Sequence, residues 1–470
     1  MSSSASPARR RGGTDLTQGS VQGQLFSLGV FIALGVLMMM VTTLADTYFV
    51  AQLGTHELAA LSFTFPVVMV VTCVAMGLGT GAVSVVSRAV GEGDREAVRA
   101  LGTDGMLLGV IIVLVLSIAG YATIDPLFRL LGAAPEVLPY IHRYMQIWYL
   151  GTIVQIIPQV GSAILRAHGD TKSPSMIMAV ASLTNVALDP LLIFGAGPIP
   201  ALDLEGAALA GIAARVISLI GVLGVMHFRM HALAPVSFRA ERIRHSWGKL
   251  LQIGLPSTAT QLVTPVSMAI ITKIIASAGT VAIAAFGVAS RIEFFALIYL
   301  LAVAGSLGPF VGQNAGAGRM DRVVEAVGSA SRFSIAAGAV LAVLLGVAAP
   351  GLVSHFSEDP EVVALAVFYL RAVPWSYAPG GLVAVASQTL NSLARPLPAS
   401  AINLARTIGV TVPLAVGGLW LGGIQAVFVA LGFSGLIVGA IAWVWMRRIL
   451  VQESARRALT PRAAFSRAAE

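Results

Sequence analysis

Predominantly apolar stretches of twenty or more residues recur along this chain between short polar breaks. A hydrocarbon core ~30 Å thick is crossed by about twenty helical residues, and a helix is the open-ended structure that satisfies its own backbone there. The runs fall near 22–51, 57–87, 97–121, 137–165, 172–195 and 206–229, then near 247–276, 282–312, 322–348, 362–390, 396–420 and 423–450. The expectation is an all-α integral membrane protein with about twelve spans. Of the 470 residues, 57% are hydrophobic and 11% are charged, which excludes an ordinary soluble enzyme. Glycine occurs 49 times, and small residues let transmembrane helices approach closely. Gly77, Gly79 and Gly81 are therefore read as packing residues; no strand pattern precedes them to make a nucleotide loop.

The two sets of spans are copies. Gly54-Thr55 corresponds to Gly279-Thr280 (279 − 54 = 225), Gly91 and Gly93 to Gly316 and Gly318, and Pro135-Glu136-Val137 to Pro360-Glu361-Val362. Tyr144 falls on Tyr369, and Ser162 and Leu165 on Ser387 and Leu390, at the same offset of 225. The chain is an internal duplication. Asp46, however, falls on Ile271, and Asp189 on Leu414, so the halves share architecture but not these acids.

Arginine and lysine gather at alternate breaks: the first tail, Arg88/Arg95/Arg99, Arg166/Lys172, Arg239/Arg242/Arg244/Lys249, Arg319/Arg322, Arg395 and the last tail. The opposite breaks hold almost none, with Arg129 the exception. The positive-inside rule then places both termini in the cytoplasm. Each half has an even number of spans, which makes the halves parallel repeats, two six-helix lobes around a central cleft. The expected organisation is a cytoplasmic tail 1–21, an N-lobe 22–229, a basic linker 230–246, a C-lobe 247–451 and a cytoplasmic tail 452–470. The tail containing Arg9, Arg10 and Arg11 is read as retained rather than as a signal peptide. Cys73, the single cysteine, is expected to be an inert buried thiol. The net charge of +8 is spread over loops and tails, so membrane lipids, not nucleic acid, are the expected partner. No obligate protein partner is evident.

An aspartate within the hydrocarbon costs about 2.5–3.5 kcal/mol on insertion scales, so it needs a reason to be there. Asp46 lies eight residues before the turn at Gly54 and Asp189 six before Gly195. Both helices run outward, so the carboxylates reach similar depth, about 12 and about 9 Å inward. Asn185 precedes Asp189 by one helical turn and shares its face. Thr184, Gln155, Met39 and Tyr48 are further candidates for lining the site or contacting substrate, and Pro190 leaves a backbone carbonyl without its usual donor. Two carboxylates with amide and carbonyl oxygens suit a proton carrier or a hard cation such as sodium. No organic cofactor and no tightly bound metal are expected.

Three stretches carry a family resemblance: Asp46-Thr47-Tyr48-Phe49-Val50-Ala51-Gln52-Leu53-Gly54 with Leu58-Ala59-Ala60; Asn185 through Gly195; and Pro309-Phe310-Val311-Gly312-Gln313-Asn314-Ala315-Gly316-Ala317. They resemble the multidrug and toxic compound extrusion family, and the second stretch resembles its branch containing DNA-damage-inducible protein F. The resemblance implies a twelve-helix, two-lobe antiporter that expels bulky, often cationic organic compounds while protons or sodium enter. It also implies that Asp46, Asn185 and Asp189 form the cation site of the first lobe. Where relatives carry a threonine after Gly-Ala-Ala in the sixth span, this chain reads Gly206-Ala207-Ala208-Leu209-Ala210-Gly211, which removes a side-chain oxygen and favours protons. The glutamate that another branch places in its seventh span has no counterpart between Pro256 and Pro265.

No Gly-x-x-x-x-Gly-Lys-Ser/Thr loop occurs, so the expected transporter is secondary, located in a bacterial inner membrane. The rival readings are a lipid-linked precursor flippase and an intramembrane aspartate-dependent enzyme; the second fits poorly with acids confined to one half of a duplication. Lys273 is expected to snorkel. Arg291 and Glu293, two apart on one helix, are expected to find partners on other helices, and Arg215, Arg371 and Arg406 have either cleft or lipid roles.

Overall fold

The computed structural model describes residues 13–195, 198, 200–235 and 239–459. The arginines of the first tail, Ala196 and Gly197 of one uncharged break, Val236–Phe238 of the linker and the end of the last tail lie outside the described residues. Every regular element among those described is helical. In chain order they are α1 (Val21–Ala51), α2 (Thr55–Glu92), α3 (Arg95–Ala122), the short α4 (Ile124–Leu130), α5 (Leu138–Ala167), α6 (Lys172–Ile193) and α7 (Asp203–Gly224). The second repeat follows with α8 (Ala240–Ala276), α9 (Thr280–Ala296), α10 (Ile298–Gly316), α11 (Met320–Ser354), α12 (Pro360–Ala372), α13 (Tyr377–Ser392), α14 (Pro396–Leu404) and α15 (Val412–Leu459).

Eleven continuous helical stretches are long and apolar enough to cross a membrane, and the last, Pro396–Arg456, is 61 residues long. It is two crossings, because the helix breaks inside α15 at Gly422 (φ −157°) and Gly423 (φ 65°), a backbone angle that glycine adopts without steric cost. Twelve spans follow among the described residues, six in each repeat.

The chain forms two compact units, one holding Val30–Thr258 with the residues up to Gly19, the other Ala259–Glu470 with Ser20–Gly29. In the first unit α2, α3 and α7 pack on α5, and α6 lies along α7. The α6–α7 approach requires a glycine: a Cβ at Gly206 would stand 2.3 Å from the Leu192 carbonyl oxygen. Its core gathers Phe128, Ile141, Met145, Trp148 and Ile193. In the second unit α13 is the hub, meeting α10, α11 and α15, and Phe286, Tyr369, Leu370 and Phe428 build the core.

The helix α8 begins at Ala240, seven residues before the span read from hydropathy (247 − 240 = 7), because its first turns are anchored to α3. Arg242 pairs with the buried Asp104 at 3.3 Å, and Trp247 Nε1 donates to the Asp104 carbonyl at 3.0 Å. The duplication also survives in the turns. Gly93 and Gly318 (318 − 93 = 225) have φ of 83° and 73°, and Gly169 and Ala394 (394 − 169 = 225) have φ of 81° and 59°. The next residue in each copy closes an ion pair of opposite polarity: Asp170 with Arg229 at 3.5 Å, Arg395 with Glu453 at 2.7 Å.

Candidate functional site

A stripe of period seven builds the site. Ser175 donates to the Phe31 carbonyl at 2.5 Å and Ser182 to the Met38 carbonyl at 2.7 Å, each pair 144 residues apart. Thr42 also meets Ser182, and Gly35 leaves room for Ser175 and Met178. Residues seven apart return to nearly the same helix face, so α1 and α6 run side by side in parallel. One further repeat on α6 delivers Asp189 (189 − 182 = 7), and on α1 it reaches Ala45, the residue before Asp46.

The two carboxyls meet side chain to side chain. Asp189 is fully buried, and among the described residues no conventional donor reaches either of its oxygens; the group it faces is the Asp46 carboxyl. Two bare anions in contact repel, so such a pair is held by a shared proton or a cation. Asn185, also buried, satisfies both ends of its amide in one orientation: the nitrogen donates to Asp46 Oδ1 at 3.0 Å and the oxygen accepts from the Gly211 backbone nitrogen at 3.2 Å. It therefore offers the acid pair a donor, not an oxygen.

Positive charge acts on the pair through Asp46. Arg215 on α7 acts on Asp46 and on Tyr144, and Tyr144 in turn lies within electrostatic reach of both carboxyls. The guanidinium sits 6.0 Å from the centre of the Trp148 ring, and Gly151 makes room for Ile212 next to it, since a Cβ there would stand 2.4 Å from that side chain. Tyr144, Trp148, Gly151 and Gln155 follow one face of α5.

Of the expected residues, the structure brings Asp46, Asn185 and Asp189 together. Gln155 lies farther along the α5 face with its Oε1 buried and unpartnered. Thr184 turns its hydroxyl to the Val180 carbonyl at 2.9 Å, away from the acids. Met39 and Tyr48 are exposed on α1, 51% and 64%, and no described contact ties either to the acid pair. The sequence reading missed the places of Tyr144 and Arg215. Arg215 carried a signal, an arginine alone in an apolar run; Tyr144 stood out only as a landmark of the duplication.

Comparison with known proteins agrees with this architecture. The MatE family model matches twice, at residues 32–191 and 256–416, one match per repeat. A protein of Shewanella oneidensis described as an FAD transporter is 38% identical over 418 residues, covering 88% of this chain and 92% of that one. The probable multidrug resistance protein YoeA of Bacillus subtilis is 25% identical, covering 84% of this chain and 88% of that protein. The bent form of the Vibrio cholerae MATE transporter VcmN superposes with a TM-score of 0.88 at 30% identity, covering 93% of this chain and 98% of that one. The chain belongs to the MatE family, the multidrug and toxic compound extrusion family of secondary transporters.

Proposed function

We propose that this chain is a proton-coupled exporter of bulky organic compounds in a bacterial inner membrane, with both termini cytoplasmic. Asp46 and Asp189 are its coupling acids. The observation that carries the reading is the contact between two carboxyls inside apolar helices, with no conventional donor on Asp189 among the described residues. The donor set favours a proton over sodium: Asn185 turns its N–H to Asp46, Thr184 bonds its own helix, and Gly211 has no side-chain oxygen, so few oxygens remain for a metal ion. With the acids ionised, the pocket holds a positively charged cargo; protons arriving from outside neutralise it and release the cargo. Differential affinity of the two conformations for proton and cargo drives the exchange.

A second cargo has its own support. The Shewanella oneidensis relative is described as an FAD transporter, and Arg215 gives this site a cation able to meet a phosphate. An anionic dinucleotide does not compete with protons for the carboxylates; it competes with them for Arg215.

Proteoliposomes carrying an imposed pH gradient test both. The wild-type chain is expected to move a fluorescent organic cation or FAD, and Asp46→Asn and Asp189→Asn are each expected to lower gradient-driven efflux by about ten-fold or more. Undiminished efflux from both variants overturns the assigned role.

A further inference from the structure

The second repeat holds a half-buried acid of its own, off the register of the duplication. Glu293 on α9 accepts a hydrogen bond from Tyr369 Oη on α12 at 2.6 Å. Tyr377, at the start of α13, also acts on the carboxyl, but more loosely: its hydroxyl is buried and completes no hydrogen bond in strict geometry. The Arg406 guanidinium acts on the same carboxyl from the segment after α14. Tyr299 on α10 donates to the Tyr377 carbonyl at 3.2 Å and completes the group. Tyr369 is wedged between the rings of Phe286 and Phe428, 5.8 and 4.9 Å away, so its hydroxyl is aimed by packing.

Every helix that reaches Glu293 is irregular where it does so. The break between α9 and α10 falls at Leu297, one turn beyond the acid. A 3₁₀ turn, Val373–Ser376, separates Tyr369 from Tyr377, and a π-helical stretch, Ala405–Thr411, carries Arg406. Thr411 Oγ1 bonds the Arg406 carbonyl at 2.8 Å across that wide turn. Broken spans are tolerated in a membrane where they are buried in protein or line a cavity, and transporters place ion sites at such breaks. Insertions of π geometry likewise concentrate at functional sites. Tyr369 is the repeat partner of Tyr144 (369 − 144 = 225), so each copy keeps one tyrosine against an acid and an arginine, although no acid or arginine aligns.

We propose that Glu293, with Tyr369, Tyr377 and Arg406, is a second proton-carrying station within the second repeat, distinct from the Asp46/Asp189 pair. A proton from solvent binds the carboxyl, Arg406 then loses its counter-charge, and the irregular segments on which Tyr377 and Arg406 stand are the parts free to respond. The interacting charged and titratable groups are Tyr369 from α12, Tyr377 from α13 and Arg406 from the π stretch, with Tyr299 from α10 acting on Tyr377.

Infrared difference spectra of the full chain in lipid, stepped from about pH 5 to about pH 9, read the carbonyl stretch of protonated carboxyls directly. Glu293→Gln is expected to lose one carboxyl component and to lower pH-gradient-driven efflux about five-fold or more, and Glu293→Asp to restore part of both. Tyr369→Phe, which keeps the acid, is expected to move the Glu293 band, and so tests the site even where Glu293→Gln does not fold. An unchanged carboxyl spectrum in Glu293→Gln overturns the proposal whether or not transport falls, as does wild-type efflux in that variant. The infrared component persists in Asp46→Asn/Asp189→Asn if Glu293 titrates, so failure of the first acid pair as a coupling site is read separately.

Discussion

On the proposed function, Asn185 decides what kind of ion the first acid pair can hold. Its amide is bound at both ends, nitrogen on Asp46 and oxygen on the Gly211 backbone, so it cannot turn its oxygen toward the carboxyls without losing two hydrogen bonds. Sodium needs oxygens, and the vacant direction is at Gly211, where an added Cβ would meet nothing within 4 Å. Gly211→Thr therefore fits sterically and brings a hydroxyl beside Asn185. On the proposed reading, wild-type efflux responds to a pH gradient and not to a sodium gradient, while Gly211→Thr gains sodium-driven efflux. Efflux assays with the two gradients imposed separately check this; a wild-type chain already driven by sodium would show that the donor count misjudges the site. Asp46, Asn185 and Asp189 were legible in the sequence because a charged or amide side chain deep in an apolar run has few structural excuses. Thr184 was not a useful signal, since a helical threonine can satisfy itself on the carbonyl four residues back, as this one does.

At the scale of helices, hydropathy located the twelve spans, and of the glycine pair that divides the final stretch Gly422 fell between two of the runs read from sequence and Gly423 opened the second of them. What hydropathy could not carry was irregularity inside a span. The break at Leu297, the turn at Val373–Ser376 and the π stretch at Ala405–Thr411 all lie within apolar sequence, and their convergence on Glu293 is a tertiary fact. The 225-residue offset was also a poor guide there, because it aligns backbones, and the second repeat mounts its acid on a different helix from the first. The repeated turns allow a sharper test. Gly169 and Ala394 hold the same left-handed backbone at the same repeat position, φ 81° and 59°, but only one of them is glycine. An L-residue there is strained by roughly 1–2 kcal/mol, part of which glycine returns to unfolded-chain entropy. Ala394→Gly is expected to raise the thermal midpoint of the purified protein by about 1–3 °C with transport unchanged, whereas Gly169→Ala lowers it. An Ala394→Gly variant melting below wild type would mean that its turn is held by contacts rather than limited by backbone strain.

For the whole transporter, the sign of the cargo and the number of protons fix how it responds to membrane voltage. If one proton enters for each monovalent cation expelled, no net charge moves, and a potential alone cannot drive the cycle. If the acid pair and Glu293 each carry a proton, one positive charge enters per cation expelled. An inside-negative potential then contributes ~2.3 kcal/mol per 100 mV. Export of FAD, with about two negative charges on its pyrophosphate near neutral pH, moves charge in the same direction as the entering protons. About three or four charges then move per cycle, and the same 100 mV contributes roughly 7–9 kcal/mol. A potassium diffusion potential imposed with valinomycin at equal pH separates these cases. With both stations working, the wild-type chain is expected to expel an organic cation in response to the potential, and Glu293→Gln is expected to lose that response and to keep only the pH-driven exchange already lowered about five-fold or more. If cation efflux is indifferent to potential in the wild type, only one proton enters per cycle and Glu293 is not a carrier. If FAD is the cargo, its efflux depends on the potential in both proteins, because the acid pair and Arg215 of the first repeat are left intact.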